Sequence, residues 1–547
     1  MVNPLFNDGT AAPSPSNRAD ECPPFPQSAG PLRIALLALV ALSTLLVSAL
    51  VWTQAWHIGI AREWQWLYFP RPESCAAGVP TLFLCALMAA VVAVFLRRGL
   101  SEKRSEVLAA GLCAALSLGI ILETAQAVPT APYDAYNSIV APWAGGYYAE
   151  AVHVSDMGAY LKDYAGMIPR LRVDDPIRGH IADHPAGPVV FHWAVNRALD
   201  HWPAAARWFT PAGADEVINL GGRGGPATST WRRVAGQLAR WNLSDGQFAG
   251  IWASALLFRL GFWLALILVY LLVRDICSRE TALLALALSA LIPSLHLFSP
   301  YPDLLFPLFA VAALYSWRRA LRRGSVAWAA LSGAIVVAGL LWSMALLAAV
   351  ALIGAYSLLA AWRGAVEGCG GPGRGGWLRA ICGWAAGFLG CALLPALYFE
   401  YDVWSVWRTC LSQHATFAAL FPRSYWAWTL FNPVEFAIFA GLPAFLLLLA
   451  TMAMDFRRWW PERRRRALSS LPWALLIVLA ALNFSGRNLG EVARLWMFLM
   501  PFGAAAGACA LVSLDGKRGW IAGAVLALAA VQLMVFRLSL NVFGLET

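Results

Sequence analysis

The stretch HIADHPAGPVVFHW, His180 to Trp193, sets three histidines, one acid and two prolines against the start of an apolar run. Ionisable side chains are expensive at membrane depth, and where they occur they point to a functional site. His180 and His184 stand four apart, the spacing of one helical face, which suits a metal or hydrogen bonds to an anionic substrate. Pro185 argues against a helix running through both, so a structural turn is the third reading.

Three further stretches carry candidate chemistry. In APYDAYNSIVAPWAGGYYAEAVHVSDMGAYLKDY, Asp134 and Asp156 are candidate general bases, since a carboxylate within hydrogen-bond reach can take the proton of a hydroxyl nucleophile. Asp163, Asp174 and Asp175 stand behind them, and Tyr160 is a candidate substrate contact. Ser155-Asp156 also has the form of a helix N-cap. In HLFSPYPDLLF, Asp303 lies in a tight hairpin held by Pro300 and Pro302, either touching substrate or capping the next helix. In NFSGRNLGEVARLWMFLMP, Arg487, Glu491 and Arg494 meet at another hairpin, and Arg494 sits about one turn inside an apolar helix. A guanidinium there needs an anion: its fork of donors suits a phosphate, and Glu491, at i,i+3, is the structural alternative. His414, in a later aromatic-rich segment, is a further candidate substrate contact. The chain has no P-loop, no GxGxxG after a strand, no HExxH and no GxSxG.

The elements that must position these groups are membrane helices. Of 547 residues, 59% are hydrophobic and 13% charged, and the mean hydropathy is +0.60, whereas soluble domains carry about 25% charged residues. Continuous apolar runs without period-two alternation choose helices over a barrel. About thirteen spans are expected, near 31–52, 78–96, 107–126, 248–273, 281–298, 303–317, 326–342, 344–361, 379–398, 434–453, 469–484, 492–513 and 519–537. Arg97 and Arg98, Arg318 to Arg323, Arg457 to Arg466, and Lys517 with Arg518 then fall on one side. Under the positive-inside rule this side is cytoplasmic, and the net charge of +10 reads as topology anchors, not a nucleic-acid surface.

The chain divides accordingly into a disordered cytoplasmic tail (1–30), N-terminal helices (31–126), an extracytoplasmic loop bearing the candidate catalytic acids (127–247), central helices (248–398), a second such loop (399–433) and C-terminal helices (434–547). Within the first loop, SDMGAYLKDYAGMI and GPVVFHWAVNRAL read as interfacial helices. The ten cysteines form no CxxC and no zinc site; Cys75 and Cys410 could both face outside and bridge. The 27 tryptophans gather at span ends, as an aromatic belt or as platforms for sugar rings.

Taken in order, SDMGAYLKDY, HPAGP, the YPD hairpin and GEVARLWMFLMP resemble the GT-C superfamily of polytopic glycosyltransferases, in its family 39-like branch of protein mannosyltransferases and aminoarabinose transferases, over roughly residues 127–537. The resemblance implies an all-α GT-C-like bundle, and the Arg- and Ala-rich composition points to the plasma (inner) membrane. It implies a polyprenyl-phosphate sugar donor, an extracytoplasmic glycan, lipid or protein acceptor, and inverting transfer. Asp134 or Asp156 would be the base, and Arg494 with His184, His180 and Arg487 would hold the donor phosphate. Asp303, Glu491, His414 and Tyr160 would touch substrate, no protein metal site is implied, and a divalent cation is the one cofactor left open. Two departures stand out: Ala186 replaces the second proline of the family's His-Pro-Pro, and Asp134-Ala135 stands where mannosyltransferases carry Asp-Glu. A secondary transporter and a lipid-carrier-linked polysaccharide polymerase are the alternatives; no internal repeat of the transporter kind is evident.

Overall fold

Inside hydrocarbon the backbone has no water to bond, so long apolar runs fold as helices that satisfy their own N–H and C=O groups. The computed structural model describes residues 30–69, 75–100, 102–127, 138–140, 145–170, 179–210, 241–367, 373–462, 469–516 and 518–542. Among the described residues, regular structure is helical apart from two pairs of two-residue strands. Nine helices there are long and apolar enough to cross a membrane, from Gly30–Trp52 to Trp520–Ser539. The chain is an all-α, multi-pass membrane protein.

Four of the thirteen expected spans differ in the structure. Residues 281–298 form two pieces, Arg279–Ser289 and Pro293–Leu297; Pro293 has no N–H to continue the ladder, and the break is tolerated because it is buried in protein. The expected 434–453 span turns at Gly441, whose φ is +90°, and Tyr425–Phe439 meets Leu442–Pro461 at 111°. Val326–Trp342 and Ser470–Phe484, with 17 and 15 residues, are shorter than a full crossing of about 20.

Helix Asp245–Ile276 forms the spine. Its 32 residues extend about 48 Å, well beyond a roughly 30 Å hydrocarbon core. A capping box starts it: Gln247 N–H donates to Ser244 Oγ at 3.1 Å and Ser244 N–H to Gln247 Oε1 at 3.0 Å. The most buried of the nine long helices contains Met500–Asp515, which is rich in Gly and Ala and lies between Leu442–Glu462 and Arg279–Ser289. A Cβ on Gly507 would lie 2.7 Å from the Ala444 carbonyl oxygen, so small residues set this close approach.

Ion pairs gather several helix ends at one face of the bundle. Glu106 receives Arg274 and, at 3.1 Å, Arg279, which brings the start of Lys103–Gln126 beside the end of the spine. Asp275 receives Arg319 at 3.2 Å and Arg322, adding the end of Pro302–Arg323 to this arginine-rich face. The other termini, Gln126, Asp245 and Pro302, therefore lie at the opposite end. Both helices anticipated in the large loop are present, as Met157–Met167 and Gly187–His201. The segment after the first helix pairs Leu67 with Asn541 and Tyr68 with Leu540, tying an early loop to the last described residues.

Candidate active site

Arg494 enters the site through a backbone that turns sharply: Gly490 and Glu491 have φ of +87° and +57°, and a single helical turn, Val492–Leu495, follows. The Ser294 hydroxyl donates to the Ala493 carbonyl and fastens this turn to Pro293–Leu297. Arg494 Nε donates to the Asp303 carboxylate, and the two side chains are only 17% and 7% exposed. Asp303 sits in the 3-10 turn Pro302–Leu305, anchored by Trp342 Nε1 donating to the Pro302 carbonyl at 3.1 Å. The Tyr301 ring lies 5.7 Å from the guanidinium carbon. Asp303 and Arg494, 191 positions apart, thus form one buried pair.

Glu491 is not the partner of Arg494. Its carboxylate takes Arg423 Nη2 at 2.8 Å, while Arg423 also donates to the Leu489 carbonyl and lies over Trp64 and Trp428. Glu63 completes this neighbouring cluster, accepting from Ser424 N–H at 2.9 Å and Trp428 Nε1 at 2.7 Å. These bonds to Ser424 hold the Glu63 carboxyl below its ordinary range.

Tyr147 links the ion pair to the histidine motif. It follows Gly145 and Gly146, whose φ values of +112° and +68° make the turn into helix Tyr147–His153. Its buried ring meets His184 edge-on at 5.6 Å. Burial, and next the charge of Asp303, push its phenol well above the ordinary value against the pull of Arg494, with Asp183 adding to the rise.

Asp183 is the residue that sequence reasoning passed over. Burial lifts its carboxyl to about 7, and its Oδ1 is buried with no hydrogen-bond partner among the described residues. A carboxyl titrating near neutrality with an open lone pair can accept a proton from a hydroxyl. The signal lay in the sequence, an acid directly before His184-Pro185. Two tyrosines fix its segment: the Tyr164 hydroxyl donates to the His184 carbonyl at 2.8 Å, and Ala186 N–H donates to the Tyr401 hydroxyl at 3.3 Å. Gly187 must be glycine, because a Cβ there would run into the Leu341 carbonyl.

The other candidates are dispersed. Asp134, Asp174 and Asp175 lie outside the described residues, as does the His180 side chain. The short helix Gly179–Ala182 ends before His184, so no single helical face carries both histidines. Asp156 is exposed and caps Met157–Met167, accepting from Gly158 N–H at 2.8 Å and Ala159 N–H at 3.2 Å. Tyr160 is half-buried against Tyr164, Asp163 and Arg487 are exposed, and His414 is half-buried on Val403–Leu420. His192 is buried, with Nδ1 3.0 Å from Ser254 Oγ, and burial drives it down to about 3, a neutral packing histidine. Cys410 is a free buried thiol, and the Cys75 side chain lies outside the described residues. Among the described residues, no three His, Cys, Asp or Glu side chains converge as a metal set.

A cavity of about 260 Å³ opens between Tyr425–Phe439, Leu442–Glu462 and Ser470–Phe484. Its lining is almost wholly apolar, including Phe436, Phe445, Leu448 and Trp496, two residues beyond Arg494.

No protein-family model matches the sequence, and no curated protein does. Among solved structures, the chain is similar to the oligosaccharyltransferase of Archaeoglobus fulgidus at 17% identity and a TM-score of 0.29, over 58% of this chain and 43% of that one. The chain thus spans under half the length of that protein.

Proposed function

We propose that this protein is a membrane glycosyltransferase that moves a sugar from a polyprenyl-phosphate donor to the hydroxyl of an extracytoplasmic acceptor, with inversion. The observation that carries the reading is the buried Asp303–Arg494 pair at the end opposite the arginine-rich loops, with Tyr147, whose phenol feels both charges, against the His184 ring next in sequence to Asp183. The apolar cavity beside Trp496 suits a polyprenyl chain, and the ordered sequence resemblance agrees with this chemistry.

In this mechanism, an aspartate takes the proton of the acceptor hydroxyl, whose oxygen attacks the anomeric carbon. The bond from that carbon to the phosphate oxygen breaks, and the electron pair leaves with the lipid phosphate. Asp303 engages Nε of Arg494 and so orients the remaining guanidinium donors, which offset the charge developing on the leaving group. His184 stands beside that phosphate. Asp183 is the base favoured by geometry; Asp134 is its rival, and Asp156 is committed to its helix cap.

One observation favours a second reading, secondary transport. Glu435 is fully buried near the 111° helix break, and its Oε2 has no hydrogen-bond partner among the described residues; broken helices and buried acids are features of transporters. The deciding experiment is donor turnover by the purified protein in nanodiscs, using a panel of radiolabelled polyprenyl-phosphate sugars. Wild type, Asp183→Asn, Asp134→Asn, Asp156→Asn and Arg494→Ala are compared. Turnover of one donor, lost with one aspartate and weakened by Arg494→Ala, is expected; a folded wild type that neither binds nor turns over any donor sinks the proposal and leaves transport.

A further inference from the structure

A cavity of about 690 Å³ lies at the arginine-rich end, opposite the candidate active site. Lys103, Arg274, Arg279, Arg319 and Arg322 line it together with Glu106 and Asp275. Five basic side chains against two acidic ones leave a surplus of three positive charges. The two acids also orient the bases: Glu106 holds Arg274 and Arg279, and Asp275 holds Arg319 and Arg322. Tyr270 adds a hydroxyl, bonded to Glu106 at 3.0 Å.

The walls then change character. Along Lys103–Gln126 the lining continues from Glu106 through Gly111 to Ala114, about 12 Å at a helical rise. Ile267 and Leu271 of the spine line the same depth. Val107 and Leu271 are also exposed on the outside of the bundle, so the cavity borders the surface that faces lipid tails. A free phosphate would use the cations and leave this apolar wall empty; a lipid with an anionic head uses both.

We propose that this cavity binds an anionic phospholipid, its headgroup among the arginines and an acyl chain along the Gly111 and Ala114 wall. The inference is independent of the proposed transferase reaction. The test is native mass spectrometry of the full-length protein in detergent, titrated with dioleoyl phosphatidylglycerol or dioleoyl phosphatidylcholine. Wild type should retain the phosphatidylglycerol preferentially. Arg279→Gln with Arg322→Gln should weaken that retention about thirtyfold, given about fivefold per basic group.

Gly111→Phe supplies a variant that leaves the ion pairs alone, because a Cβ on Gly111 has no neighbour within 4 Å. It should fill the apolar wall and reduce phosphatidylglycerol retention while unfolding as wild type does. Equal retention of the two lipids, or indifference to both variants, overturns the proposal. Displacement of the lipid by inorganic pyrophosphate, with pyrophosphate binding unchanged in Gly111→Phe, also overturns it and assigns the cavity to a soluble anion.

Discussion

Arg494→Met tests whether the ion pair serves folding, chemistry or both. The substitution leaves Asp303, 7% exposed, as a buried carboxylate without its cation. Breaking one side of such a pair is expected to cost about 3–5 kcal/mol, because the desolvated charge is left uncompensated. Removing both charges, Arg494→Met with Asp303→Leu, should be neutral or stabilising, since no charge remains to desolvate. Each single change strands one buried charge at about 3–5 kcal/mol, so the double variant should fall short of the sum of the two by about 6 kcal/mol or more, the strong coupling of residues in direct contact. Denaturant titration followed by tryptophan emission reads the stability of all four species. Donor turnover reads the chemistry, and here the double variant should stay impaired by about 10²–10³, the typical loss when an oriented donor to a developing anion is removed. A single variant that costs under about 1 kcal/mol contradicts a buried pair. A double variant with full turnover removes Arg494 from the reaction and leaves it a structural cation.

Three further outcomes follow from the same geometry. With Asp183 as base and its carboxyl near 7, turnover should fall as pH drops through about 7, and Asp183→Asn should abolish it; a profile flat from pH 5 to 8 contradicts the assignment. Because burial raises this carboxyl in the folded protein, the stability it contributes is present at low pH and is lost as pH rises through about 7. Asp183→Asn should therefore flatten that decline in denaturant titrations. Gly187→Ala forces a Cβ against the Leu341 carbonyl and should cost about 1–3 kcal/mol, whereas Gly111→Ala, in open space, should stay near wild type; equal melting temperatures would contradict the close approach at Gly187. Glu491→Gln breaks only the partly exposed pair with Arg423, so a loss of about 1 kcal/mol or less is expected with turnover retained, and a severe loss of turnover would move Glu491 into the reaction.

Much of the site's raw material was visible in the primary structure. Asp303 and Arg494 stood out because each is an ionisable group set in apolar sequence, and such groups announce themselves by type alone. Their pairing did not, since local spacing offered Glu491 at i,i+3 and tertiary packing gave Glu491 to Arg423 instead. Asp183 was overlooked for a related reason: a loop acid reads as solvated until its burial and open lone pair are known. Asp156 shows the converse, a cap signature in Ser155-Asp156 that the backbone fulfils.

By itself the sequence determined the class of the molecule and most of its helices, because the need to satisfy backbone groups in lipid acts on every apolar run locally. It also determined which ends carry arginines. Only the tertiary structure decided where helices break inside the protein, as at Pro293 and Gly441, since a broken helix is affordable only where neighbouring protein surrounds it. Only it decided which charges meet across 191 positions and which buried carboxylate oxygens have no hydrogen-bond partner among the described residues. Those outcomes depend on desolvation and close packing among distant segments, and no local pattern of residue types records them.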